Sequence, residues 1–358
     1  MLEIHKNRTE QARMDFVSGL MGYNSTGIGA AMATYYQNKT KKHKHTPEMQ
    51  EVKEIMEKSP IYKFGAFFER HNHALMFQTT LDILESRKEE VMSWLDSYEE
   101  NNALGSLKLN PDLGIPSYYD KIEIHTQPGN YHGPYGGFLY HWMIGPFLVE
   151  RDENDEMGWD LANGIPKGDY KKILDLGCGI GKSTFPYCDL YPEAEVYGLD
   201  YAAPMIKYGH KLAESRNKKV HFVQNFAEET GFEDNSFDLV TALWLFHEIP
   251  KPAMRKVVKE AYRILKPGGT FAIMESPPYK MMNKNYNPLS EFLLNSTAIR
   301  MHDPSIMTLM KLHRPDLLNE AGFKNSRDVA LPNHLTGYDN EGSYFFGAFP
   351  WWMTIGTK

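Results

Sequence analysis

Cysteine is nearly missing from this chain: Cys178 and Cys188 are the only two among 358 residues. Two thiols ten positions apart cannot build a disulfide framework or a four-cysteine zinc site. With no secretory leader beside them they point to a reducing compartment, so a cytoplasmic location is expected. Long apolar runs are missing as well. The longest, Gly137–Val149, is interrupted by His141 and falls short of a bilayer span, so no membrane association is expected. Nor is there a surplus of positive charge: 39 Lys and Arg stand against 46 Asp and Glu, a net −7. Such a balance offers no field for a phosphate backbone, and the one basic cluster, Lys39–His45, is too short to supply it. No nucleic-acid partner is expected. Repeats and low-complexity tracts are absent, and no tight His/Asp/Glu ligand cluster stands out along the chain, so no metal is expected either.

What is present is an ordinary globular balance, 42% apolar and 24% charged, in a chain longer than one usual domain. Aromatics at 13% and 19 methionines suit an adaptable core, and an aromatic-walled small-molecule pocket would leave the same trace. The clearest seam is the charge run Glu150–Glu156 followed by the turn-rich stretch Asn163–Asp169. It divides a mainly helical domain, residues 1–150, from a second domain, residues 160–358. In the first, Thr46-Pro47-Glu48 is a helix start, and Asn72 to Glu99 carries Leu81, Leu84, Val91, Trp94 and Leu95 at helical spacing. These apolar faces need a partner, either the second domain or a second copy of the chain as a homodimer. From Gly105 to Gly137 the chain reads as ordered loop.

The second half alternates strand and helix. Strands are expected at Lys171–Leu176, Glu195–Leu199, Val220–Val223, Phe237–Ala242 and Thr270–Met274. Helices are expected from Lys182, over Pro204–Arg216 and over Pro252–Leu265, with a turn at Lys266–Gly269. This alternation predicts an α/β, doubly wound, mostly parallel sheet, whose ligands sit at the carboxyl ends of its strands.

Three glycines, Gly177, Gly179 and Gly181, close the first of these strands, and an acid, Asp200, ends the second. Glycine lets the backbone turn tightly and approach a ligand, and a carboxylate at the second strand end can accept both hydroxyls of a ribose. The pair reads as a nucleoside site. A phosphate-binding P-loop fails, because its first glycine would fall on Leu176, and a dinucleotide fingerprint fails at Lys182. S-adenosylmethionine remains: it has a ribose and no phosphate, and Asp175 is an acid placed for its ammonium.

At this point the sequence resembles the class I (Rossmann-like) S-adenosylmethionine-dependent methyltransferases. ILDLGCGIGKST resembles their cofactor loop, VYGLDYAAPMI their second strand with the ribose acid, FVQNFAEETGFEDNSFDLV the third-to-fourth strand region and LKPGGTFAIME the fifth strand. The resemblance implies a seven-stranded sheet, completed by an antiparallel pair at Ser326–Pro332 and Trp351–Thr357. It also implies S-adenosylmethionine as methyl donor, S-adenosylhomocysteine as product, and a small-molecule acceptor. Asp175, Gly177, Gly179, Gly181, Asp200, Tyr201, Met205, Asn225, Phe226, Ala227 and Trp244 would hold the cofactor. Where members often carry an acid for the adenine amino group, this chain has Phe226, and Asn225 or Glu228 could make that contact instead.

A lid segment is implied at Tyr131–Trp142, which makes Tyr131, His132, Tyr135, Tyr140 and His141, with the more distant His302, candidates for acceptor binding. After the fourth strand, where acceptors often sit in this family, His247 is a candidate base, and Glu275 at the end of the fifth strand is a second. His313 beside Arg314 reads as a capping residue. Ser276-Pro-Pro-Tyr279 resembles the signature of amino-methylating DNA methyltransferases but follows the wrong strand, so it is expected to be a loop. Arsenic methylation would need more cysteines. The acceptor is expected to be a small metabolite methylated on oxygen or nitrogen, with sulfur or carbon open. The alternatives are a nucleic-acid methyltransferase and a non-catalytic cofactor-binding scaffold.

Overall fold

The computed structural model of the chain describes residues 4–97, 104–147 (side chains to 142), 154–278, 288–303, 305–334 and 350–358. Its helical first part comprises α1 (Arg8–Tyr23), α2 (Gly29–Thr40), α3 (Met49–Glu57), α4 (Pro60–Glu85), α5 (Lys88–Asp96) and, beyond a loop region, α6 (Gly136–Phe147). Their ends are set by local chemistry. Asn7 accepts from the Thr9 and Glu10 amides while Glu10 reaches back to the Asn7 amide, closing both ends of a capping box. Ser59 caps α4 ahead of Pro60 in the first turn. That start lies well before the expected Asn72, and the helix breaks at Ser86–Arg87 instead of running to Glu99. The helix expected from Thr46 is capped two residues later, by Glu48 with Glu51.

The strands are β1 (Ser106–Lys108), β2 (Lys172–Leu176), β3 (Glu195–Asp200), β4 (His221–Gln224), β5 (Phe237–Leu243), β6 (Leu265–Glu275), β7 (Lys324–Leu331) and β8 (Trp351–Thr357). They form one sheet in the order β1-β4-β3-β2-β5-β6-β8-β7. Strands β1 to β6 are parallel, and β8 runs antiparallel between β6 and β7. Among the described residues the sheet has eight strands rather than the expected seven, because β1, from the stretch read as loop, pairs with the edge of β4. The turn expected at Lys266–Gly269 is an irregularity inside β6, where the register against β5 slips between Phe237 and Leu239.

Helices α7 (Glu156–Gly164), α8 (Phe185–Leu190), α9 (Ala203–Ser215), α10 (Lys251–Ile264), α11 (Pro288–Arg300), α12 (Ile306–Leu309) and α13 (Arg314–Ala321) complete the described α-helices. Ala253, Met254, Val257, Val258, Ala261 and Ile264 show how α10 covers the sheet: they recur at helical spacing and all are buried. Val17, Met76, Phe77, Leu84, Val91 and Phe138 of the first part belong to the same apolar core as Ile173, Leu199 and Val240 of the sheet. Among the described residues no helix is long and apolar enough to cross a membrane.

Asp160 of α7 locks the last strand in place. Its carboxylate is 3% exposed and accepts from the Trp351 indole at 2.9 Å, the His334 amide at 3.1 Å and the His334 ring. Truncating it strands a buried indole N–H, so Asp160→Ala is expected to cost about 2–4 kcal/mol, read as a lower urea midpoint with an unchanged slope.

Candidate active site at the strand ends

The sheet reverses its strand order at β2, which lies between β3 and β5, and a crevice opens beyond their carboxyl ends. The turn after β2 is held open by backbone geometry. Gly177 and Gly179 have φ of 68° and 53°, a region that side chains disfavour, and the Gly177 and Cys178 amides donate to the Leu199 carbonyl. A Cβ at Gly179 would come to 3.3 Å from Met205 and 4.0 Å from Tyr140, and one at Gly177 would press on Leu245. All three neighbours line the crevice, so the bare backbone leaves room that a side chain would fill. Gly181, by contrast, makes space for Phe185 and Phe222 in the core.

Asp200 fixes this turn to the next strand. One carboxylate oxygen accepts from the Gly179 amide at 2.9 Å and the other from the Ala202 amide at 2.9 Å. Burial pushes the Asp200 carboxyl up to about 6, against the pull of those two amides. Each oxygen keeps a lone pair for a further donor.

The cleft holds about 730 Å³ of space not filled by atoms, part of it open to solvent. Nine of the eleven expected cofactor residues line it: Gly177, Gly179, Asp200, Tyr201, Met205, Asn225, Phe226, Ala227 and Trp244. Asp175 does not, which corrects the expectation that it meets the ammonium. It is fully enclosed, and its oxygens accept from Ser183 at 2.5 Å, Thr184 at 2.8 Å and Thr241 at 3.1 Å. Burial raises it to about 6; Asp175 braces the glycine turn from behind. Gly181 likewise stands off the cleft. Asn225 spends its carbonyl on the Phe226 amide and its amino group on Thr230, while Glu228 lines the cleft and accepts from Tyr118 at 2.7 Å. A smaller recess lies alongside, lined by Lys182, Ser183 and Cys178, and shares Tyr140, Gly177 and Leu243 with the cleft.

Of the expected acceptor residues, Tyr131 and Tyr140 line the cleft. His132 stacks on Tyr201, Tyr135 is buried, His141 pairs with the Tyr208 hydroxyl at 2.6 Å, and His302 lies against the Glu123 carbonyl. None of these four reaches the cleft wall. Burial pulls the His141 imidazole down to about 4, the state of a packed, neutral ring. His247 and Glu275 also stand behind the wall, bound to each other. His247 Nδ1 lies 3.0 Å from Glu275, whose other oxygen accepts the Phe246 and His247 amides. Burial alone would lower His247, but the carboxylates of Glu275, Asp303 and Glu248 outweigh it and hold the ring up at about 10. Ser276–Pro278 leaves the end of β6 as a loop, and Tyr279 lies outside the described residues.

The residue that faces the cleft in this neighbourhood is Glu248, beside the expected His247. It accepts from the Tyr131 hydroxyl at 2.9 Å and meets His125 Nε2 at 3.1 Å. Burial would raise Glu248, but His125, His247 and Tyr131 hold it below the usual carboxylate range. Together with Tyr118 and Tyr119, His125 and Glu248 are absent from the sequence-based site. The His-Glu pair after β5 was a signal for Glu248; nothing local marks His125, which the fold brings in from 122 positions away. The expectation of no metal also needs correction in its premise, since His125, His247 and Glu248 do form a ligand-type cluster, their donor atoms all within 4.8 Å.

Residues 173–269 match the methyltransferase-domain family model. That stretch carries the glycine turn, Asp200 and strands β3 to β5. Among curated relatives, the demethylmenaquinone methyltransferase of Thermus thermophilus is 37% identical over 108 residues, 30% of this chain and 48% of that one. The mitochondrial 2-methoxy-6-polyprenyl-1,4-benzoquinol methylase of Caenorhabditis elegans is 32% identical over 173 residues, 44% of this chain and 59% of that one. The chain thus spans about half the length of the curated relatives it matches. Among solved structures, phosphoethanolamine N-methyltransferase 2 of Haemonchus contortus, in complex with S-adenosyl-L-methionine, superposes with a TM-score of 0.47 at 18% identity, covering 68% of this chain and 60% of that one.

The two acids of the glycine turn separate by experiment. Asp200→Asn is expected to weaken S-adenosylhomocysteine binding about tenfold or more, the worth of hydrogen bonds to a charged group, while Asp175→Asn keeps it. Ribose hydroxyls favour the ionised form of Asp200, so affinity falls as pH drops through about 6. Calorimetry between pH 5 and 8 reads both effects, and an affinity flat across that range contradicts the assignment of Asp200.

Proposed function

We propose that this protein transfers a methyl group from S-adenosylmethionine to a small molecule carrying a hydroxylated aromatic ring, releasing S-adenosylhomocysteine. The observation that carries the proposal is that one cleft joins the glycine turn and Asp200 at one end to an aromatic wall and a held carboxylate at the other. The names of the quinone-methylating relatives support the acceptor class.

Bound there, the cofactor supplies an electrophilic methyl group on a sulfonium, open to in-line displacement. The chain's own groups divide the remaining work. Asp200 accepts the ribose hydroxyls with the lone pairs that Gly179 and Ala202 leave free. Met205 and Phe226 pack against the adenine, whose amino group meets backbone near Ala227. The amino-acid end occupies the neighbouring recess, within reach of Lys182 and Ser183. Tyr118, Tyr119, Tyr131 and Tyr140 line the acceptor side; their flat faces hold a ring, favour a nearby sulfonium charge and exclude water. Glu248 presents a polar contact at the far end for the acceptor's hydroxyl. His247 and Glu275 act as positioning residues: their pair and the amides they hold set the loop that carries Glu248. The helical first part supplies Tyr118 to Tyr140 and so forms the cover of the pocket.

The test is binding followed by turnover. S-adenosylhomocysteine is expected to bind one per chain in calorimetry, with NAD giving no signal. Incubation of S-adenosylmethionine with a panel of quinols and phenols, followed by mass spectrometry, is expected to show a product heavier by one methyl group. Absence of S-adenosylhomocysteine binding overturns the cofactor, and turnover of only non-aromatic acceptors overturns the acceptor class.

A further inference from the structure

Behind the acceptor end of the cleft, three side chains from two distant segments converge. His125 sits in the loop 123–131, and His247 and Glu248 follow β5. His125 Nε2 lies 3.1 Å and His247 Nε2 3.9 Å from the same oxygen, Glu248 Oε1. All three donor atoms fall within 4.8 Å of one another. Four-coordinate zinc with nitrogen and oxygen ligands at about 2.0–2.2 Å needs donor atoms roughly 3.4 Å apart, so small side-chain adjustments would bring them into place.

We propose that His125, His247 and Glu248 bind one divalent transition-metal ion of the zinc class. Two observations beyond the cluster point to a ligand. The His247 side chain is only 3% exposed, yet its Nε2, which faces Glu248, has no hydrogen-bond partner among the described residues. A buried ring nitrogen without a partner is costly unless something else occupies it. Its other nitrogen lies 3.0 Å from Glu275. A carboxylate in that place accepts the Nδ1–H hydrogen bond and fixes the tautomer, so Nε2 is the nitrogen that would release its proton and bind a cation, as at zinc–histidine sites in general. Asp303 adds a second unmatched atom: its Oδ1 is buried with no hydrogen-bond partner among the described residues, and although burial raises its carboxyl, His247 and His125 favour its charged form. It supplies further negative charge to balance a dication.

The loop is built to hold His125 in place. His125, Thr126, Asn130 and Tyr131 all have positive φ, between 52° and 64°, which side chains rarely adopt. Asn130 fixes the loop by accepting the Ile124 amide at 2.6 Å and donating to the Tyr119 and Ile122 carbonyls. A comparable grouping, His43, His45 and Glu51, is largely exposed. None of its polar atoms is buried without a partner.

Because Glu248 also lines the cleft, an ion held here lies at its acceptor end. On the functional reading above, on which this step rests, it would hold the acceptor's oxygen and lower its pKa, the proton passing to solvent water before methyl transfer. Two His and one carboxylate leave a coordination position for it.

The metal test is independent of methyl transfer. Full-length protein carrying His43→Ala and His45→Ala, stripped with chelator, is titrated with Zn2+ by calorimetry and with Co2+ by visible absorption. The expected result is one ion per chain and a four-coordinate Co2+ spectrum. His125→Ala is expected to lose at least tenfold in Zn2+ affinity, and Glu275→Gln, which frees the far side of the ring, about 10–100-fold. Zn2+ should raise the melting temperature of the parent but not of His125→Ala, and S-adenosylhomocysteine should bind both alike, which separates loss of metal from loss of fold. A parent that binds neither ion below millimolar concentration, or a His125→Ala protein that binds as tightly as the parent, overturns the proposal. A failure of S-adenosylhomocysteine binding with Zn2+ binding intact overturns the functional reading and leaves the metal site standing.

Discussion

The bond from the Gly179 amide to the Asp200 carboxylate is the constraint on which the rest of the site depends. It ties the turn leaving β2 to the end of β3, and the second Asp200 oxygen anchors the start of α9. Three chain segments thus meet at one carboxylate, which fixes the floor of the cleft before any ligand arrives. Burying that carboxylate is unfavourable, as its rise to about 6 records, and two amides only partly offset it. Each oxygen keeps a lone pair that a ligand hydroxyl would satisfy, which is the basis of the proposed ribose contact. Asp175 bears a similar strain one strand away, but three side-chain hydroxyls already satisfy it.

This distinction marks where sequence reading stops. The acid–glycine pattern of β2, the acid closing β3 and the apolar spacing of α10 are local features, and local propensity and periodicity specify them without help from the rest of the fold. Whether an acid faces a cleft or a cluster of hydroxyls is decided by neighbours 66 positions away, as with Thr241 and Asp175. The short β1 carries no pattern of its own; only the open edge of β4 makes it a strand. Helix α4 was visible only in its second half because its first half, rich in Phe, Tyr and His, leaves several large residues such as Phe64 and Phe67 exposed and so lacks a one-sided apolar stripe. His125 was invisible for a further reason: a left-handed, non-glycine loop has no sequence signature, and its partner Glu248 lies 123 positions away in the second half of the chain.

The first part of the chain is more than a cap. Its Tyr119, Ile124 and Tyr131 belong to the main core, its β1 extends the sheet, and the Tyr201 hydroxyl, beside the cofactor turn, donates to the Asn130 carbonyl at 2.6 Å. That last bond links the helical first part to the segment after β3 through a single side chain. The aromatic wall and the glycine turn are parts of one packed unit.

The position of β8 carries a consequence for biogenesis. It fills the gap between β6 and β7 yet follows both in chain order. While the chain is being made, β6 emerges with Phe271, Ala272, Ile273 and Met274 along an unpaired edge, and its partner arrives some 75 residues later. At ordinary ribosomal speed that interval is about 4–15 s. A sticky, half-built sheet must survive it, so nascent-chain chaperones have a natural client here, and any pause in translation between these two strands lengthens the exposure.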